Sequence, residues 1–546
     1  MSKENLIGIV ILTILFSVFV MKNGGGKNTN VITNDRVIDK IDNNKVETNE
    51  NSNPNVLEVD KIRSIKEKTD EQLDIVLENE EMEAHFSKKG GCISKIILKN
   101  YKNHKDENVV LLDKTSVSNF KIIESDINTY DIDFITSKIT EEEVVFKSIN
   151  EKYNIVISYQ LNNENKFEIK QTVKTNNNNK INFTFNNILA QQEFDIKDCK
   201  NKSAINYSEN GEIKNLYFCQ NDTKISKITN CEWVAFKQKF FISGICYNDK
   251  MKGELYIKDT NKGVTECNLI AEIESNNNNF ELKYFFGPSK YNILKNFTNS
   301  FEKNIYLGFP IVSTFNKYIV LPFSEYIGEK TSCILIIFLL VILLKILVLP
   351  INIRIYIVTQ KIKLLNKVIV ILKEKYKNNQ QRLAIEQINL YREFGINPLS
   401  VLLYNIVQFP FIIAIYNFIP IEMMFRHCSF LWCNDISSSD SVFNFGFNIP
   451  FYGDHISISS ILMGLTMLFY LLFNDNQSEE GHNKIGLAHI FIMIFMICIS
   501  NKFCCALNIY YIFFNIVTSI IQYLLSKKIK NEEFRNRINV KINEVR

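Results

Sequence analysis

No zinc-type pair of CxxC motifs, no HExxH and no Walker-type phosphate loop occurs in the 546 residues. Their absence removes the usual sequence signatures of structural zinc, metalloprotease and nucleotide chemistry. The cysteines follow no regular spacing: Cys92, Cys199, Cys219, Cys231, Cys246 and Cys267 fall in a polar half, while Cys333, Cys428, Cys433, Cys498, Cys504 and Cys505 lie in or beside apolar runs. Nothing near them selects a metal or activates a thiolate, so each reads as a small buried hydrophobe. No small-x-small cleavage site follows the apolar run Leu6 to Met21, which ends Val18-Phe19-Val20-Met21. The run therefore reads as an uncleaved anchor, with a cleaved signal as the alternative. Neither a cofactor nor a metal is expected.

What is present divides the chain in two. The net charge of +4 and the mean hydropathy of −0.05 average a polar, charged stretch and a strongly apolar one. Residues 1–22 read as the anchor span. Residues 23–70, with Gly24-Gly25-Gly26 and an Asn, Asp, Glu and Lys mixture, read as a flexible linker that cannot offset its ordering entropy. From 71 to 304, short runs such as Ile155 to Leu161 and Phe167 to Val173 alternate apolar with polar residues between Asn- and Gly-rich turns, predicting an antiparallel β-sandwich. Gly90-Gly91 there is isolated from any phosphate-binding helix pattern, and no enzyme signature accompanies it.

Residues 305–330 are apolar and aromatic but broken by Pro310, Asn316, Lys317, Pro322 and Glu325, which predicts an interfacial amphipathic helix. A second span (331–350), a helical hairpin (351–398), spans three to six (399–526) and a basic tail (527–546) follow. Only Asn501 to Cys505 separates the last two spans, predicting an antiparallel hairpin. Overall the class is an α+β membrane protein: a β-sandwich, a helical core of five spans and an N-terminal anchor span.

Flanking charge sets the expected orientation. Arg354, Lys361, Lys363, Lys367, Lys373, Lys375, Lys377, Arg382 and Arg392 follow the second span, and Lys527, Lys528 and Lys530 follow the last, whereas Ile421 to His455 carries Arg426 against Glu422, Asp435, Asp440 and Asp454. Short cytoplasmic segments retain Lys and Arg, so both termini are expected in the cytoplasm and the β-sandwich in a periplasm-like space.

Lys345, with four apolar residues on each side, is the one strong charge inside a span. Burying it costs ~2.5–3.5 kcal/mol on insertion scales, so it calls for a polar cavity or for snorkelling to the near interface. Asn405 and Gln408 in the third span and Asn508, Tyr510, Tyr511, Asn515 and Gln522 in the sixth read either as helix-packing groups or as the walls of a wetted groove around Lys345. Such a groove shortens the path of a polar flank through hydrocarbon while an apolar segment gains lipid, and it needs no nucleotide. A transporter or channel calls for paired intramembrane charges and often for repeated spans, and neither is evident. An anchored carbohydrate-binding sandwich leaves Lys345 and the basic hairpin without a role.

At these residues the sequence resembles the YidC family of membrane protein insertases in its two-part form. The resemblance is carried by Lys345 to Pro350, Gly395-Ile-Asn-Pro-Leu399, Gln408-Phe-Pro410 and Leu507-Asn-Ile-Tyr-Tyr511 followed by Asn515. Phe86-Ser-Lys-Lys-Gly-Gly91, Leu98-Lys-Asn-Tyr101, Trp233-Val-Ala-Phe-Lys-Gln238 and Tyr284-x-x-Gly-Pro288 add to it, and Phe430 to His455 is similar to the form found in Bacteroidota. It implies a supersandwich-like outer domain, groove contacts at Lys345, Gln408, Phe409, Pro410, Tyr510, Tyr511 and Asn515, and a mobile hairpin that receives nascent chains. It further implies nascent membrane proteins, the Sec translocon, the ribosome and the lipid bilayer as partners, in the bacterial inner membrane. Lys345 stands where most members carry Arg, which keeps the charge but loses the planar fork of donors. Ala506 replaces a usual Gly, and Val341 falls where many members have a hydroxyl.

Overall fold

The computed structural model describes residues 75–545 apart from 114–115, 123–126, 150–153, 176–179, 218–222, 261–263, 275–278, 329–330, 378, 477–486 and 530–531. The expected anchor, the whole of the expected linker, the Asn176–Asn179 tract and Cys219 lie outside the described residues. The chain separates into a β unit up to Ile305 and a helical unit from Tyr306.

Every strand pairing in the β unit is antiparallel. One sheet runs β1 (Ile75–Glu78), β2 (Met82–Ser87), β3 (Cys92–Lys102) and β4 (Asn108–Leu112). The remaining strands are β5 (Val117–Ile122), β6 (Ile127–Asn128), β7 (Phe134–Ile139), β8 (Glu143–Ser148), β9 (Val156–Leu161), β10 (Glu168–Lys174), β11 (Lys180–Leu189), β12 (Ala204–Glu209), β13 (Glu212–Tyr217), β14 (Lys224–Lys237), β15 (Phe241–Thr260), β16 (Val264–Glu274) and β17 (Asn279–Pro288). They form the second sheet in the order β6-β5-β11-β16-β15-β17-β10-β9-β8-β7, with β14, β12 and β13 branching from β15. Alternating burial in β2 and β9 follows the period of two that buries one face of a strand.

The larger sheet's core includes a buried polar chain. Gln171 donates to the Tyr159 hydroxyl (2.8 Å), Tyr159 donates to the Gly91 carbonyl (2.8 Å), and the Tyr284 hydroxyl donates back to Gln171 (2.6 Å). Each buried group is thereby satisfied, as burial requires, and β9, β10 and β17 are tied to the β2–β3 turn. Gly90 and Gly91 make that turn with φ of 79° and 54°, a left-handed conformation that a side chain disfavours. A β-carbon on Gly91 would crowd Ile157 and Phe134, so the pair serves packing.

Two short helices, α1 (Ile196–Lys202) and α2 (Tyr291–Lys295), complete this unit. After α2 the chain returns over β14 and β15, where Trp233 donates to the Asn299 carbonyl (3.1 Å) and Lys237 to the Asn304 carbonyl (2.6 Å). Gly244 leaves room for the Phe301 ring, which a β-carbon would meet at 2.5 Å.

The helical unit begins with α3 (Pro310–Phe315) and α4 (Leu321–Gly328), joined by a π turn over Asn316–Val320. There follow α5 (Cys333–Lys375), α6 (Gln380–Glu393), α7 (Leu399–Phe418), a β-hairpin of β18 (Ser441–Ile449) and β19 (Gly453–Ser457), α8 (Ile458–Asn476), α9 (Leu487–Ser500), α10 (Cys505–Lys528) and α11 (Glu532–Val545). Three of these helices, α5, α7 and α10, are long and apolar enough to cross a membrane, while α8 and α9 are shorter apolar helices. The second span and the first arm of the hairpin are one helix: α5 runs unbroken through Pro350. α9 and α10 are connected by a tight turn as expected, yet both pack against α8. The tail does not hang free. Phe534 and Ile538 of α11, spaced one turn apart, enter a core with Leu365, Val368, Ile369 and Leu372 of α5 and with Leu390 and Phe394.

Glu209 gives the β unit an acid-labile contact. Lys214 (2.6 Å) and the Thr229 amide (2.8 Å) donate to its carboxylate and hold its pKa at about 2 against an ordinary 4.5. A depressed carboxyl pKa contributes stability that is present above the unfolded value and is lost as the pH falls through the folded one. Thermal unfolding followed from pH 6 downward should show this contribution disappearing between about pH 4.5 and 2, with a ceiling of ~3 kcal/mol at ~1.4 kcal/mol per unit. Glu209→Gln should flatten that part of the profile.

Candidate functional site

Lys345 sits on α5 with its neighbours Ile346 and Leu347 turned outward and itself only 4% exposed. Its ammonium donates to the Thr518 hydroxyl on α10 (2.6 Å) and lies 3.2 Å from the centre of the Phe514 ring. A hydroxyl acceptor and an aromatic face are two neutral ways to offset desolvation of a cation. Thr518 in turn donates to the Phe514 carbonyl (2.5 Å) one turn back, so its lone pair is aimed at the ammonium.

The expected groove residues do not converge on this charge. Gln408 on α7 donates to Asn352, two residues past Pro350 on α5, bridging those two helices. Phe409 and Pro410 are half-buried on α7, and the helix continues through the proline. Tyr510 is buried on α10, 5.4 Å from the Tyr511 ring and 6.0 Å from that of Phe514, in a stack that leads to Lys345. Asn515 donates to Thr466 on α8 (3.2 Å), Asn508 to Ser459 (2.8 Å) and Gln522 to Tyr470 (3.1 Å). These three are joints between α8 and α10. The side chain of Asn405 lies outside the described residues. α5 packs against both α10 and α7, so the Lys345–Thr518 and Asn352–Gln408 bonds mark two polar joints of α5.

Sequence reasoning missed Thr518, Phe514 and Asn352. The first two were legible in principle: Tyr511, Phe514, Asn515 and Thr518 recur at three and four residues and share a face of α10. α7 is braced from the other side, where the Asn316 amide donates to the Ala414 and Leu307 carbonyls (both 2.9 Å) and Phe315 meets Phe411 at 5.0 Å.

A second polar cluster closes the Cys333 end of α5, α8 and α10. Asp440 accepts from Trp432 Nε1 (2.8 Å), from the Ser459 amide (2.7 Å) and hydroxyl (2.6 Å), and from the Ser457 hydroxyl. The Asn501 side chain accepts from the Ser457 amide (2.9 Å) and donates to the His455 (2.7 Å) and Tyr452 (3.2 Å) carbonyls. Here the reading of every cysteine as a small hydrophobe is corrected: Cys333 pairs with Cys428 and Cys433 with Cys505 as disulfides. The partners are 95 and 72 residues apart, a separation at which only tertiary folding brings thiols together. Cys433, Asp440 and Cys505 also approach one another closely enough to suggest a metal site. The disulfide and the four donors on the carboxylate already use those ligand atoms.

In the β unit a small, partly open pocket is lined by Gln192, Cys199, Lys239 and Phe241 among others. Burial disfavours ionisation of Asp198, yet the ammonium groups of Lys202 (2.9 Å) and Lys239 (2.7 Å) hold its carboxyl well below the usual range. Burial pushes the Cys199 thiol up to about 12, which leaves it protonated and a poor nucleophile.

Replacing Thr518 by Val should leave a buried ammonium without its acceptor and lower stability by ~1–3 kcal/mol, whereas Thr518→Ser should stay near the parent; thermal unfolding in detergent reads the difference. Peptide mapping without reductant should recover Cys333 linked to Cys428 and Cys433 linked to Cys505. Replacing Cys433 and Cys505 by Ser should lower stability by ~2–4 kcal/mol.

A family model described as the YidC periplasmic domain matches residues 74–321, and one described as 60Kd inner membrane protein matches 323–532. A membrane protein insertase YidC from Amoebophilus asiaticus is 30% identical over 570 residues, covering 98% of this chain and 94% of that protein. Another from Porphyromonas gingivalis is 28% identical over 502 residues, covering 84% and 79%. Among solved structures, an active YidC insertase with its first transmembrane domain resolved aligns over 83% of this chain and 93% of that one, at 13% identity and a TM-score of 0.32.

Proposed function

The chain belongs to the YidC family of membrane protein insertases, and from that premise we propose that it inserts client segments along the polar joints of α5, with Lys345 as the charged element. It is a membrane insertase with a β-rich periplasmic domain and a region of apolar helices, placed in the bacterial inner membrane and not an enzyme. The observation that carries the mechanistic reading is the Lys345 ammonium, buried in an apolar stretch with, among the described residues, the neutral partners Thr518 and Phe514.

An acidic or polar flank of a client offers that ammonium a stronger, charge-assisted acceptor than a threonine hydroxyl. The lysine stem is flexible, so a short rotation exchanges Thr518 for the client's flank. Gln408 of α7 and Asn352 of α5 supply a neutral donor and acceptor where those two helices meet, and Tyr510 and Tyr511 with Phe409 and Pro410 contact the apolar part of the segment. As the flank is passed along, the apolar segment partitions into lipid, and that gain drives transfer.

In this reading an N-terminal anchor joins α5, α7, α8, α9 and α10 to make six spans with both termini in the cytoplasm, as the basic flanks favour. The domain boundaries are those expected from the sequence: anchor 1–22, linker 23–70, β-sandwich 71–304, interfacial helix 305–330, span 331–350, hairpin 351–398, spans 399–526 and tail 527–546. The insertase works alone or beside the Sec translocon. Clients arrive from the ribosome at a bundle made of the lower half of α5, α6 and α11.

Depletion followed by complementation tests the mechanism on a two-span client. Lys345→Arg should restore insertion. Lys345→Ala should slow insertion of a client with an acidic flank about tenfold, the effect of losing one charge-assisted contact of ~1.5 kcal/mol, and should spare a client with a neutral flank. Full complementation by Lys345→Ala would remove the charge from the mechanism. Deleting residues 31–299 should leave most activity in place.

A further inference from the structure

The hairpin of β18 and β19 shows a surface that the insertase reading does not use. Ser441 to Gly453 contains no charged residue. Within it Phe443, Phe445 and Phe447 alternate along β18 and stack as neighbours, at 5.6 Å and 5.9 Å between ring centres, with Tyr452 at 6.2 Å from Phe445. Val442, Phe443, Phe447 and Phe451 are largely exposed, Phe447 at 64% and Phe451 at 74%. An uncharged, aromatic, open strand in water is an aggregation hazard that proteins ordinarily blunt with charge.

The base of the hairpin is rigid. Ser441 pairs with Ser457, Ser457 bonds to the buried Asp440, and Asn501 holds the Tyr452 and His455 carbonyls. β19 ends at Ser457, immediately before α8. Leu465 and Phe469 of α8 and Phe491 of α9 are exposed as well.

We propose that this hairpin is a membrane-surface wedge, its phenylalanine side set into the interfacial layer of the bilayer at the Cys333 end of α5. The proposal rests on the reading that α8 and α9 lie in the membrane. Direct chain continuity of β19 with α8, whose Leu465 and Phe469 are exposed, selects lipid as the occupant over a second copy of the chain or a soluble partner. Aromatic rings gather at the membrane–water boundary, and an apolar face lying in that layer reaches ~5–10 Å below the headgroups. The wedge holds lipid headgroups beside the helix ends that the disulfides and Asp440 tie together.

The test adds one tryptophan at a time to the full chain, reconstituted in phosphatidylcholine vesicles brominated either near the headgroup or near the chain ends. The added emission is read against the parent, which carries only Trp233 and Trp432. Phe447→Trp and, independently, Phe451→Trp should lose emission to the shallow bromines more than to the deep ones. Phe491→Trp on α9 is the reference for the membrane reading. If Phe491→Trp is quenched and both hairpin positions are not, the wedge is overturned while the membrane reading stands. Blue-shifted but unquenched hairpin emission would likewise overturn it, by showing protein over the face. If Phe491→Trp is also unquenched, the membrane reading fails and takes the wedge with it.

Discussion

The contact between the Lys345 ammonium, the Thr518 hydroxyl and the Phe514 ring fixes how α5 stands against α10. A cation in an apolar helix has few stable positions: a counter-charge, a polar cavity or an acceptor on a neighbouring helix. This chain takes the third, so the helices that the charge joins are determined by the need to satisfy it. The register of α10 follows, because the same face that carries Phe514 and Thr518 carries Tyr510 and Tyr511. A threonine hydroxyl is a weaker partner for the lysine than a carboxylate, which would add a charge-assisted bond.

The remaining polar groups of the helical unit divide the labour. Asn508, Asn515 and Gln522 bond α10 to α8, and Gln408 with Asn352 bonds α7 to α5. At the Cys333 end, the Asp440 network and two disulfides gather the loop, α8 and α10 into one rigid cap. The opposite end is joined by apolar contacts among α5, α6 and α11. The polar joints of α5 at Lys345 and Asn352 fall between this cap and the bundle along the helix. The β unit is stabilised differently, by satisfied buried hydroxyl and amide groups within a large antiparallel sheet.

The two-part plan, the antiparallel β domain, the apolar helices and the presence of a charge at Lys345 inside one of them are all legible in the amino-acid sequence. Each follows from short-range information: period-two alternation, continuous apolar runs and a charge flanked by leucine and isoleucine. The sequence also pointed to Gln408, Tyr510 and Asn515 as polar or aromatic groups inside helices. What each of them bonds to is set by the packing of helices distant in sequence. Helix faces meet according to packing across sequence separations of 56 residues for Gln408 and Asn352 and 173 for Lys345 and Thr518. No local pattern encodes such a pairing, and the two disulfides escaped for the same reason. Tertiary packing likewise drew the basic tail into the hairpin core, through Phe534, Ile538 and Ile542, whose spacing of four lies among the tail's charged residues.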